Sequence, residues 1–194
     1  MFGEEKMKRD EAVIQIHRPD QTEMLFFLLC GSIVSVPITL FIAQNVNPFL
    51  AGFDQLSATL ISVAFLTPII EEFSKIFPLF YRHGETQRSI INLALMVGLG
   101  FGIAEFFAYV LIGIEWYIRI PGLVFHPAST AISAYGIAVK KQFPFFALAV
   151  LLHFVHNFLA LTIPLLVNAS ILITGFTFLV FWILYKKTQE KIIQ

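Results

Sequence analysis

Six apolar stretches follow one another with only short polar breaks between them, and this pattern decides what class of structure the chain can adopt. They lie at about 23–45, 55–81, 90–117, 122–140, 143–166 and 169–186, each near the roughly 20 residues that an α-helix needs to cross a bilayer. In hydrocarbon a spanning segment must satisfy its own backbone N–H and C=O groups, so such stretches become helices. The expected fold is all-α: a polytopic membrane protein built as a bundle of about six transmembrane helices. Only 13% of the 194 residues are charged, 57% are hydrophobic and 22 are Phe, whereas a soluble domain carries roughly a quarter charged residues. The formal net charge is zero, which leaves no electrostatic footprint for nucleic acid. The single cysteine, Cys30, excludes an intramolecular disulfide and is expected to be a small buried apolar residue. No convincing small-residue cleavage site follows the first apolar stretch, so it is taken as a retained helix.

The flanks and turns set the orientation. Residues 1–22 are polar and form an N-terminal tail, 23–186 the membrane domain with a core at about 60–160, and 187–194 a C-terminal tail. Lys6, Lys8, Arg9 and Arg18 precede the first span, Arg82 and Arg88 lie between the second and third, Lys140 and Lys141 between the fourth and fifth, and Lys186, Lys187 and Lys191 follow the last. Eleven of the 13 basic residues thus fall on one side of a six-span layout. Cytoplasmic loops collect Lys and Arg, so both termini are expected in the cytoplasm of a cell whose plasma membrane holds the protein. Pro48, Gly52, Gly84, Pro121 and Pro144 punctuate the connections as turn or helix-start residues.

Against this apolar background a few polar residues stand out. The second span carries TPIIEEFSKIFPLF, which puts Glu71, Glu72 and Lys75 inside a run that otherwise spans the membrane. An ionisable side chain at the centre of such a helix costs roughly 2.5–3.5 kcal/mol by insertion scales, so by default it marks a functional site facing protein or water. On a helix Lys75 stands at i+4 from Glu71 and i+3 from Glu72, within reach of either carboxylate. Pro68, just before the pair, should kink the helix and free backbone carbonyls near the same spot. The third span adds Glu105 in GLGFGIAEFFAYV, with no cation nearby in sequence. The fourth adds His126 before Pro127, a favoured first helical residue, with Arg119 near enough to act as a counter-charge or an interfacial anchor. The fifth adds LLHFVHNFLA, where His153 and Asn157 share a face and His156 is offset and taken as a packing residue.

Depth ties these residues together. At 1.5 Å per residue from each cytoplasmic helix end, Glu71 and His153 lie about 15 Å in, Glu105 and His126 about 21–22 Å, and Lys75 about 9 Å. Four helices therefore bring carboxylate or imidazole groups into one layer near the membrane middle, where incidental polar residues would scatter in height.

Such a cluster supplies what hydrolysis inside a membrane requires. A carboxylate can take a proton from water and return it to a leaving amine. Histidines and a carboxylate can hold Zn²⁺, which makes bound water a nucleophile near neutral pH. An Asn amide can stabilise an oxyanion. The assignment that follows takes Glu71 as general base with Glu72 and Lys75 setting its charge state, Glu105, His126 and His153 as metal ligands, and Asn157 as oxyanion donor. The substrate would be a membrane-anchored protein cut within the lipid bilayer. A proton- or ion-coupled transporter could use the same buried ionisable groups as a relay, although no internal repeat pairs two halves around a site. HExxH, GxSxG and paired GxGD-type aspartates are absent from the sequence.

The motifs Glu71-Glu72-x-x-Lys75, Phe101-x-x-x-Glu105, His126-x-x-x-Thr130 and His153-x-x-x-Asn157, in this order on successive spans, resemble those of the PrsW family of intramembrane proteases, which shares a clan with the type II CAAX prenyl endopeptidases. The resemblance covers about 60–160. It implies a membrane-embedded, metal-dependent or glutamate-type peptidase of the kind implicated in cutting membrane-anchored regulators such as anti-sigma factors. By position, Glu71 and Glu72 fill the family's paired-glutamate site and Lys75 that of its orienting cation. Glu105 stands where the prenyl endopeptidases carry His, and His153 with Asn157 matches the clan's last motif, which looks like an oxyanion site. Glu105 and the Lys75 spacing depart from the prenyl-protease pattern.

Overall fold

The computed structural model describes residues 17–81, 86–162 and 167–190. Within them six long helices run in sequence, α1 (Gln21–Leu50), α2 (Gln55–Phe80), α3 (Gln87–Leu111), α4 (Trp116–Ala138), α5 (Gln142–Thr162) and α6 (Val167–Lys187), with no strand among the described residues. Short polar residues start several of them. Asp20 accepts from Glu23 N at 2.8 Å, Asp54 from Ser57 N at 3.0 Å and Thr86 Oγ1 from Ser89 N at 3.1 Å, each satisfying an N–H that has no partner inside its own helix. Most of the expected N-terminal tail lies outside the described residues, as do Gly84 and Arg82 in the α2–α3 connection.

Five of the helices are long and apolar enough to cross a membrane. The exception is α4, and its place explains why. It packs against α3, α5, α6 and α2, and from Phe125 to Ala138 nearly every side chain is buried, including His126, Ser129, Thr130 and Ser133. Over this second half the helix is surrounded by other helices and shielded from lipid, so it can carry polar residues that the outer helices cannot. Around it α3 contributes Ile90, Ile91, Leu93, Ala94 and Val97 to the core, while α1 adds Phe27 and α2 adds Leu79.

The boundaries differ from the expected ones at α3 and α4. The third helix ends at Leu111 rather than 117, and the fourth begins at Trp116 rather than 122. Pro121 and Pro127 therefore lie inside α4, and Pro127 is not a first helical residue. The helix has started eleven residues earlier on an interfacial turn of exposed Trp116, Tyr117 and Ile118, aromatic and aliphatic groups suited to the membrane boundary.

Contact between α1 and α3 is backbone to backbone. A Cβ on Gly100 would stand 1.8 Å from Leu28 O, and Ser32 Oγ donates to Gly100 O at 2.8 Å. Small residues that let helices approach this closely are the usual basis of packing in membranes.

Candidate active site

The site forms where α2, α3, α4 and α5 meet. Because α2 places Glu71, Glu72 and Lys75 over little more than one turn, all three turn inward: Glu72 and Lys75 are fully buried and Glu71 is 6% exposed. On α4 His126 is 3% exposed, and on α5 His153 is 2% exposed. Close packing of α3 on α4 fixes the imidazole at 126. A Cβ on Gly98 would come within 2.6 Å of His126 O, and the Phe101 ring lies 5.1 Å from the His126 ring, edge on.

The two adjacent glutamates have different company. Glu72 Oε1 accepts from Lys75 Nζ at 2.5 Å, from Ser129 Oγ at 3.0 Å and from His153 Nδ1 at 2.9 Å. Its other oxygen, Oε2, is buried without a hydrogen-bond partner. Glu71 Oε2 is likewise buried without one and stands 3.6 Å from His153 Nε2. A carboxylate can accept only, so His153 donates from Nδ1 to Glu72, while its Nε2 faces Glu71 Oε2.

The second imidazole is held from both sides. Lys75 Nζ lies 3.1 Å from His126 Nδ1. An ammonium donates and never accepts, so Nδ1 is the lone-pair nitrogen and Nε2–H donates to Glu105 Oε2 at 2.7 Å. Glu105, without a cation nearby in sequence, finds one in space: Arg119 Nη2 lies 2.9 Å from its Oε1 and also stacks over the Tyr109 ring, 3.8 Å from its centroid. Lys75 and Arg119 thus each serve one of the carboxylates that orient a histidine.

Of the expected metal ligands, His126 and His153 come together and Glu71 joins them. One donor atom from each of the three lies within 4.8 Å of the other two. Glu105 accepts from Nε2 of His126. The donor chemistry fits a zinc-type cation: two imidazoles and one carboxylate, with a buried Glu71 oxygen that has no hydrogen-bond partner standing beside His153 Nε2. Each imidazole has a carboxylate behind it, Glu72 on His153 and Glu105 on His126, which is the usual outer support of metal-bound histidine.

Asn157 is partly buried and its Nδ2 donates to Val63 O at 3.0 Å. His156 packs as expected, its ring stacked on Phe125 with centroids 4.5 Å apart. Ser129 is a member that the sequence analysis does not single out. One turn beyond His126, it accepts from Lys75 at 3.3 Å and donates to Glu72, and its spacing of three from His126 was the available signal.

A family model described as PrsW family intramembrane metalloprotease matches residues 20–185. The match extends well beyond the 60–160 core and takes in the first and last helices. No curated protein and no solved structure matches the chain.

Proposed function

The chain belongs to the PrsW family of intramembrane metalloproteases and is an intramembrane protease, and from that premise we propose that it hydrolyses a peptide bond of a membrane-anchored protein with Glu71 as the general base. The observation that carries this reading is the asymmetry of the glutamate pair. Glu72 is engaged by a lysine, a serine and a histidine, while Glu71 Oε2 is buried, without a hydrogen-bond partner and 3.6 Å from His153 Nε2. Each glutamate keeps one buried oxygen without a hydrogen-bond partner, but only Glu72 is tied to a lysine, a serine and a histidine, which leaves Glu71 as the carboxylate free to take up and return a proton.

In this reading Glu71 takes a proton from water and returns it to the leaving amine. Lys75 keeps Glu72 ionised, and Glu72 in turn holds His153 in the tautomer that aims Nε2 at Glu71. Glu105, neutralised by Arg119, does the same for His126 from the opposite side. His126, His153 and one oxygen of Glu71 would hold a divalent cation, leaving the other Glu71 oxygen to move the proton, with Glu105 orienting His126. Such a cation supplies a bound water that is nucleophilic near neutral pH. The Lys and Arg residues of the turns support a layout with both termini in the cytoplasm.

Hydrolysis is tested by incubating the purified protein with a single-span membrane protein in ¹⁸O-labelled water. The expected result is a new carboxyl terminus carrying one ¹⁸O, within or beside the span. Cleavage without label, or no cleavage of any single-span protein, contradicts the assignment.

A further inference from the structure

We infer that Asn157 is a positioning residue: its side-chain amide replaces the backbone donor that α2 lacks at Pro68, and so sets the angle at which Glu71 and Glu72 enter the site. The inference rests on the protease reading for its activity readout and on backbone geometry for its substance.

The residues Leu60–Leu66 of α2 form a π-helical segment, in which each N–H reaches back five residues. At its end Thr67 N donates to Ser62 O, in that same five-residue register. The next bond in register would run from residue 68 to Val63 O, but residue 68 is proline and has no N–H. The only other backbone donor at regular spacing, Thr67 N at four residues, is engaged with Ser62 O. Val63 O is thereby left without a helical partner in a half-buried position, where an unsatisfied carbonyl in a membrane costs several kcal/mol. Asn157 Nδ2 donates to this oxygen at 3.0 Å.

The consequence for the site comes from where α5 holds α2. Asn157 and His153 are one helical turn apart on α5 and grip α2 on either side of the break. Asn157 binds Val63, five residues before Pro68, and His153 binds Glu72, four residues after it. A helix held at both sides of a break has its bend angle fixed. Without the first grip, α2 can close the vacancy at Val63 O by changing register, and a change of one residue turns the following helix face by about 100°. Even a 1 Å displacement of a catalytic group can cost on the order of 100-fold in rate. An amide held in this way acts through α2, not on the substrate.

The test is a double-mutant cycle between positions 157 and 68. Asn157→Leu keeps the side-chain size and removes the donor; Pro68→Ala restores an N–H at the vacant register position. Four proteins (wild type, each single variant, the pair) are compared for kcat, KM and thermal melting. Asn157→Leu alone should lower kcat about tenfold or more with KM little changed, as expected when a positioning group is lost. In the Pro68→Ala background most of that loss, and of the accompanying fall in melting temperature, should disappear. An equal loss in both backgrounds overturns the proposal, because a group acting on the substrate is not replaced by an N–H at residue 68. Full activity and stability of Asn157→Leu overturns it too, and so does failure of that variant to fold in both backgrounds. The melting arm needs no turnover. A coupled melt without any cleavage by the wild type would therefore count against the protease reading alone, and an additive melt against the strut alone.

Discussion

Lys75 shows how much a single residue carries in this site. Its ammonium is fully buried and touches Glu72, His126 and Ser129, the first on its own helix and the others on α4. Removing one partner of a buried ion pair leaves an uncompensated charge and typically costs about 3–5 kcal/mol. Lys75→Met should therefore lose about 3 kcal/mol or more of stability in a thermal or denaturant melt, and most of its activity. Stability equal to the wild type would mean that Glu72 does not depend on the lysine. At this scale the sequence was informative about identity and poor about partnership. The polar residues of the four motifs could be picked out because charges and imidazoles are costly in apolar spans. Which glutamate would pair with Lys75 could not, since spacings of three and four residues are both within reach. That Glu105 would bond to His126 and Arg119 was equally hidden, because both contacts come from a neighbouring helix and depend on rotation about its axis.

Helix contacts decide whether those residues meet. The α1–α3 seam is closed by Gly100, where a Cβ would stand 1.8 Å from Leu28 O. Backbone cannot yield as a side-chain tip does, so Gly100→Ala should destabilise by about 2 kcal/mol or more through overpacking. Gly175 on α6 makes the internal comparison, since a Cβ there meets nothing within 4 Å. Gly175→Ala should be neutral or stabilising by about 0.5–1 kcal/mol, the ordinary gain of alanine over glycine inside a helix. Paired melts decide it, and equal effects at both positions would contradict the seam. The existence of the helices was legible from apolar length. The role of α4 was not: its apolar run was read as one span among six, whereas its buried Ser129, Thr130 and Ser133 belong to a helix enclosed by the others. Its early start and internal prolines also escaped a reading that treats proline as a helix beginning.

For the whole molecule, the proposed layout, with six helices alternating across the membrane, would put the turns at Gly52 and Gln142 on opposite sides. Both residues are exposed. In a Cys30→Ser background, Gly52→Cys should react with a membrane-impermeant maleimide from outside the cell and Gln142→Cys only after permeabilisation. Same-side labelling would contradict the six-span layout. The most direct measurement of the central claim, that Glu71 is the base of a proteolytic centre inside this bundle, compares cleavage of one single-span substrate by the purified wild type and by Glu71→Gln. Glutamine keeps the shape and size of the side chain and loses the proton acceptor. We predict that Glu71→Gln melts like the wild type, still binds the substrate and shows no turnover; undiminished cleavage by a folded Glu71→Gln protein would contradict the account.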